Sequence, residues 1–312
     1  MTPGKLRGLM AASNERQIFT ILALDHGASL ASAVRQRAPQ EVSRRELTEI
    51  KMKLLRELAL KASAVLLDPD YGLPPAIFQG ALPGHVGLVT SVEDGDYAAI
   101  REPARLLPDW NVAKAKLAGA NAIKCFFYYR PDDAAFAQIQ ERFVSEIVKD
   151  CHNHDIPLFA EPLSYGTTAA DRESIVIETA RRISALGIDI LKIEFPVDIQ
   201  VDKDEALWAQ ACSKISAVSQ VPWVLLSAGV GYEDFTRQVR VACQSGASGY
   251  MAGRAVWKEA VSLQGSDRQK YLREVVVPRL QQLAEIAGTY ARPWTDFYSF
   301  VEESISGAWY KN

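Results

Sequence analysis

Apolar and polar positions along this chain keep two rhythms. Eight short, mostly apolar runs read as buried strands: residues 18–24, 63–68, 85–90, 121–128, 157–161, 189–195, 222–227 and 248–252. Between them, apolar residues recur at helical spacing over residues 44–61, 110–118, 133–153, 172–186, 205–219 and 233–245. A shorter helical candidate, residues 73–78, follows the second strand. Gly119, Gly187 and Gly246 each fall at a helix end just before the next strand, the expected C-cap position. This alternation, with mostly short helix-to-strand loops, implies a parallel sheet in an α/β fold. Eight units point to a closed barrel over an open doubly wound sheet. No GxGxxG follows the first strand to support a dinucleotide fold. One domain is expected, with the barrel over about residues 18–262 and C-terminal helices over about 266–310. No repeat beyond the strand–helix rhythm, low-complexity tract or interdomain linker interrupts it.

Composition narrows the partners. The chain has 312 residues, 48% of them hydrophobic, enough for a large core. A net charge of -3 with no basic tract argues against nucleic acid. No apolar run reaches membrane length, and residues 1–17 are too polar for a signal peptide. Cys125, Cys151, Cys212 and Cys243 are scattered, without a CxxC, and read as reduced structural thiols of a cytoplasmic protein rather than metal ligands. The longest irregular segment, residues 91–108, carries Asp96, Arg101 and Arg105 and reads as a lid or a plain surface loop. The C-terminal stretch holds Trp294, Phe297, Tyr298, Phe300, Trp309 and Tyr310, an aromatic surface suited to packing on the barrel or on another copy of the chain.

Chemistry gathers at the strand ends. In the sixth strand, Lys192 and Glu194 share one face while Leu191, Ile193 and Phe195 take the other. A buried lysine is costly as a cation and can simply be paired with a carboxylate. Burial also favours the free amine that attacks a ketone. The other strand ends contribute Asp25 and His26, Asp68, Lys124, Glu161, Ser227 and Arg254. So much charge at one barrel end is hard to assign to packing. If Lys124 and Lys192 both point inward, each disfavours the other's charge, and Glu161 on the strand between them is placed to move protons. Ser227-Ala228-Gly229 and Ala252-Gly253-Arg254, after strands seven and eight, read as a phosphate cradle of backbone N–H groups and one arginine. The plain alternative is a pair of tight glycine turns beside a surface arginine.

The stretches Leu66-Leu67-Asp68-Pro69-Asp70-Tyr71-Gly72-Leu73-Pro74, Ala122-Ile123-Lys124, Leu191-Lys192-Ile193-Glu194-Phe195-Pro196, Leu226-Ser227-Ala228-Gly229-Val230 and Ala252-Gly253-Arg254-Ala255-Val256-Trp257 resemble the class I tagatose-1,6-bisphosphate aldolases and the related sulfofructosephosphate aldolases. The resemblance implies a (β/α)8 TIM barrel that needs no metal or cofactor. It also implies reversible cleavage of a ketose 1-phosphate or 1,6-bisphosphate to dihydroxyacetone phosphate and an aldehyde. By position it makes Lys192 the Schiff-base lysine and Glu161 the proton mediator, with Lys124 and Asp25 lining the site. Ser227, Gly229, Gly253 and Arg254 would hold the C1 phosphate. One departure stands out: Asp25-His26-Gly27 replaces the family's usual Asp-Gln-Arg and also resembles the DhnA-type aldolases. The lost pair puts recognition of a 6-phosphate or 6-sulfonate in doubt. His26 would then face the far end of the substrate, with Arg130, Arg101 or Arg105 supplying the charge, unless that end is neutral. A sulfofructosephosphate aldolase, giving sulfolactaldehyde, is the nearest alternative. An inactive sugar-phosphate-binding regulator is the other, against which the retained Lys192, Glu161 and Lys124 argue. A homo-oligomer is expected.

Overall fold

The computed structural model describes residues 1–35, 42–94 and 100–298. Eight parallel strands close on themselves in chain order. They are β1 (Phe19–Leu24), β2 (Ala64–Leu67), β3 (Gly87–Ser91), β4 (Ala122–Tyr128), β5 (Leu158–Leu163), β6 (Ile190–Ile193), β7 (Trp223–Leu226) and β8 (Gly249–Ala252). Pairing of β1 with β8, Ile21 opposite Met251, seals the cylinder. This is the (β/α)8 barrel that the alternating rhythm predicts.

Helices occupy the expected intervals: α3 (Arg44–Leu58), α4 (Leu73–Phe78), α5 (Val112–Leu117), α6 (Ala134–Asn153), α7 (Arg172–Ser184), α8 (Glu205–Val218) and α9 (Tyr232–Gln244). Gly119, Gly187 and Gly246 all take positive φ just after their helices. Past the barrel come α11 (Gly265–Tyr271), α12 (Val277–Tyr290) and a 3-10 turn, Trp294–Phe297, with one π-helical stretch, Leu272–Val276, joining the two helices. Three helices were not legible in the pattern: α1 (Pro3–Ala12), α2 (Ala28–Arg35) and α10 (Arg254–Ser262). Asp96, Phe300, Trp309 and Tyr310 lie outside the described residues.

Strand residues alternate between two cores. Leu22, Leu67, Ile123, Leu191 and Leu225 pack outward against the helices. Phe19, Ile21, Leu66, Val89, Phe159, Ile190, Val224 and Met251 fill the cylinder. Each fully buried Leu, Ile or Phe contributes on the order of 2 kcal/mol. The floor of the cylinder is plugged by Leu9 and Ala12 of α1 and by Trp294, which join the same inner core. Polar bonds fix both plugs. Lys5 Nζ lies 2.8 Å from Asp189 Oδ2 just below β6, and Trp294 Nε1 donates to Ser13 Oγ at 3.0 Å. With the floor apolar and sealed, the polar inward positions are left at the C-terminal ends of the strands.

Candidate active site

Continuing the inward parity upward leads from the apolar core to charge. Above Ala122 on β4 stands Lys124; above Phe159 on β5 stands Glu161; above Ile190 on β6 stands Lys192. Lys124 is fully buried, and Lys192 and Glu161 nearly so. The Glu161 carboxylate bridges the two lysines: Oε1 lies 2.7 Å from Lys192 Nζ and Oε2 lies 2.8 Å from Lys124 Nζ. Lys124 also donates to Glu93 Oε1 at 2.7 Å and to Asp25 Oδ2 at 3.1 Å. Three carboxylates thus converge on one ammonium, which offsets the cost of burying it. Burial works against ionisation of Asp25, but Lys124, with His26 and Lys192, holds its carboxyl well below the usual range. Burial pushes Glu93 the other way, upward, against the pull of Lys124.

Glu93 escaped the sequence reading. It sits two residues beyond the end of β3, at the start of the long loop, and the count of inward positions had stopped at the strand. Val89, Ser91 and Glu93 follow the same period of two, so extending the alternation would have found it.

A cleft opens above Lys192, lined by Asp25, His26, Glu161 and Lys192 on one side and by Ser227, Gly229, Gly253 and Arg254 on the other. The second wall has the form of an anion cradle. After β7, Ala228 and Gly229 both take positive φ, at 44° and 74°, which turns successive N–H groups to one side. A Cβ on Gly229 would lie 3.4 Å from the Arg254 guanidinium, so the arginine packs over that turn. Arg254 opens α10, and the first N–H groups of a helix point outward from its start; here Val256 N–H is taken by the Gly253 carbonyl at 2.9 Å, leaving those of Arg254 and Ala255 nearest the cleft.

His26 is wedged between the two walls. Its ring meets Trp257 edge to face at 5.3 Å, and a Cβ on Gly253 would come within 2.8 Å of its Cε1. Its Nδ1 is 3.4 Å from Asp25 Oδ1. Burial lowers the imidazole from its ordinary 6.5 to about 4; Asp25 opposes this, and Arg254, Lys192 and Lys51 reinforce it. Between those two pH values the unfolded chain binds the proton that the folded chain refuses. His26 therefore contributes stability above pH 6.5 that is lost as pH falls toward 4, on the order of 3 kcal/mol. Glu93, with its raised value, acts with the opposite sign, so the comparison must be made against a variant. His26→Gln is expected to flatten the fall of Tm between pH 6.5 and 4; an equally steep fall would assign that acid sensitivity to other groups.

Five polar groups are placed elsewhere than the sequence reading suggested. Arg130 does not line the cleft. Its Nε and both terminal nitrogens bond to Asp132, Asp171 and the carbonyls of Tyr165 and Gly166, which uses all five N–H donors. Arg101 and Arg105, from the long loop, are likewise paired, with Asp133 at 2.6 Å and Asp94 at 2.9 Å. Glu194 lies past the end of β6 and is held by Ser164 and, at 3.2 Å, by Arg172. Asp68 is buried against Lys51 of α3. Except for Asp132 beside Arg130 and Asp94 in the same loop as Arg105, the partners come from segments distant in sequence.

Comparison with known proteins agrees with this geometry. A model of the DeoC/LacD family aldolases matches residues 19–259. The tagatose 1,6-diphosphate aldolase 2 of Streptococcus mutans is 31% identical over 94% of this chain and 97% of its own length. The tagatose 1,6-diphosphate aldolase of Listeria monocytogenes is 30% identical over 97% of each. Among solved structures, a Schiff base-forming fructose-1,6-bisphosphate aldolase shares the fold with a TM-score of 0.62 at 21% identity, covering 90% of this chain and 98% of its own. With the barrel and most of its length matched, the chain belongs to the DeoC/LacD family of aldolases, which are carbon–carbon lyases.

Proposed function

We propose that the protein is a Schiff-base aldolase that cleaves a ketose 1-phosphate or 1,6-bisphosphate to dihydroxyacetone phosphate and an aldehyde. The observation that carries this reading is the Glu161 carboxylate bridging Lys192 at 2.7 Å and Lys124 at 2.8 Å, beneath a cleft whose far wall is the Arg254 cradle. The names of the tagatose 1,6-diphosphate aldolases and of the Schiff base-forming structural neighbour support it.

The C1 phosphate binds the N–H groups after β7 and at the start of α10, with Arg254 supplying the charge and Ser227 a hydroxyl. That places C2 over Lys192. The Lys192 amine adds to the C2 carbonyl, Glu161 supplies the proton to the departing hydroxide, and water leaves to give an iminium. Glu161, now a carboxylate, removes the proton of the C4 hydroxyl, the C3–C4 bond breaks, and its electron pair flows to the iminium nitrogen as an enamine. The aldehyde departs. Glu161 then returns a proton to C3, and water hydrolyses the iminium to release dihydroxyacetone phosphate and free Lys192. Lys124, held by Asp25, Glu93 and Glu161, keeps a positive charge beside the developing alkoxide.

The test is borohydride reduction in the presence of dihydroxyacetone phosphate, followed by peptide mass mapping. A mass increase on the peptide containing Lys192 is expected. An adduct on Lys124, or none, would overturn the assignment.

A further inference from the structure

The two nitrogens of His26 face different walls of the cleft. Nδ1 is turned to Asp25 Oδ1 across 3.4 Å, and among the described residues neither atom has a hydrogen-bond partner. The Cε1–Nε2 edge lies against the cradle: a Cβ on Gly253 would come within 2.8 Å of Cε1 and 3.4 Å of Nε2. A side chain at position 253 would collide with the ring, so glycine is what lets the imidazole approach the start of α10. Trp257, on that helix, meets the ring edge to face at 5.3 Å and limits its rotation. His26 and Gly253 share the cleft with Ser227, Gly229 and Arg254. An anion seated in the cradle therefore has the Nε2 edge beside it.

A neutral imidazole carries one N–H and cannot donate to both sides. The charged groups around the ring are Asp25 beside it, Arg254 from α10, Lys192 from β6 and Lys51 from α3, with Glu161 of β5 on the same cleft. In the empty site, burial and the three cations keep the ring neutral well below pH 6.5, against the pull of Asp25. A phosphate dianion in the cradle reverses that balance. It offsets Arg254 and puts a second negative charge on the far side of the ring.

We propose that phosphate binding draws one proton from solvent onto His26, so that the imidazolium donates from Nδ1 to Asp25 and from Nε2 to the phosphate. This rests on the cradle of the aldolase reading and deepens it. His26 becomes a phosphate-binding residue instead of the contact to the far end of the substrate that its place in the sequence suggested. The two unpartnered atoms gain their bond in the same step. For a ligand of fixed charge, affinity then rises as pH falls, until the empty site itself takes the proton near pH 4.

The probe is sn-glycerol 3-phosphate, a phosphate monoester without a carbonyl, so no Schiff base contributes. Titration calorimetry at pH 7 in two buffers of different ionisation enthalpy counts the protons taken up on binding. The parental protein is expected to take up roughly half to one proton per site more than His26→Gln, whose amide does not titrate. The ligand's own proton change is common to both and cancels. Equal counts overturn the inference, and failure of the probe to bind the parental protein removes the cradle and the inference with it. Histidine Cε1–H resonances of the parental protein give a reading that needs no variant. One of the four histidines should move to the imidazolium position when the probe saturates at pH 7; absence of that shift also overturns the inference. Borohydride trapping on the same preparation separates the two readings. A Lys192 adduct without proton uptake removes only the role of His26, whereas uptake without any adduct removes the Schiff-base chemistry and leaves the phosphate site standing.

Discussion

Lys192→Met is expected to lower kcat for ketose 1-phosphate cleavage by roughly 10,000-fold or more. Methionine keeps the length and volume of the side chain but has no amine, so no iminium forms and the electron pair of the C3–C4 bond has nowhere to go. The remaining groups still bind and polarise the substrate, so affinity for dihydroxyacetone phosphate should change far less than turnover. The variant leaves Glu161 Oε1 without its partner at 2.7 Å, although Lys124 still holds Oε2 at 2.8 Å. Part of the burial cost of that carboxylate is then exposed, and Tm should fall. Circular dichroism and phosphate-ligand binding distinguish a folded, inactive protein from an unfolded one. If the folded variant kept more than a tenth of parental turnover, Lys192 would not be the nucleophile, and Lys124 would be the next to replace.

Glu161→Gln should slow the chemical step by roughly 100- to 10,000-fold. The effect has two parts. A glutamine cannot shuttle protons at carbinolamine dehydration or at C3. It also cannot accept from both lysines: its single oxygen can face Lys192 or Lys124, and the amide N–H groups then confront the other ammonium. Single-turnover cleavage reads the first part and thermal melting the second. Loss of stability with unchanged single-turnover rate would make Glu161 a structural bridge only. The slow step would then need a different acid, and Glu93, close to Lys124 and pushed upward by burial, is the neighbour to examine.

Much of this centre was legible from period-two counting. Lys124, Glu161 and Lys192 each sit an even number of residues above an apolar inward position, and the strands fixed where those positions lay. What escaped depends on contacts between segments far apart in sequence. Arg130 reads as a free charge beside a strand end, because nothing marks Asp171 and the carbonyls of Tyr165 and Gly166 as its acceptors. Asp68 looks like a site carboxylate until Lys51 reaches it from α3. The helix α1 was hidden for a related reason. Its partner surface is the open end of the cylinder, which exists only once eight strands have closed, and its own apolar stripe, through Leu9 and Ala12, is narrow.

The shared floor also ties the start of the chain to its end in time. Helix α1 finishes at Ala12, while the other plug, Trp294, lies far along the chain. At about 5–20 residues per second, a ribosome takes roughly 15 to 60 s to go from one to the other. Until β8 (Gly249–Ala252) has been made, Leu9 and Ala12 have no finished cylinder to enter, and β1 lacks its closing partner. Closure of the barrel therefore waits for β8, made long after β1. Nascent chains of this protein should carry their open strand edges and apolar floor residues as client surface for whatever holds unfinished chains at the tunnel exit.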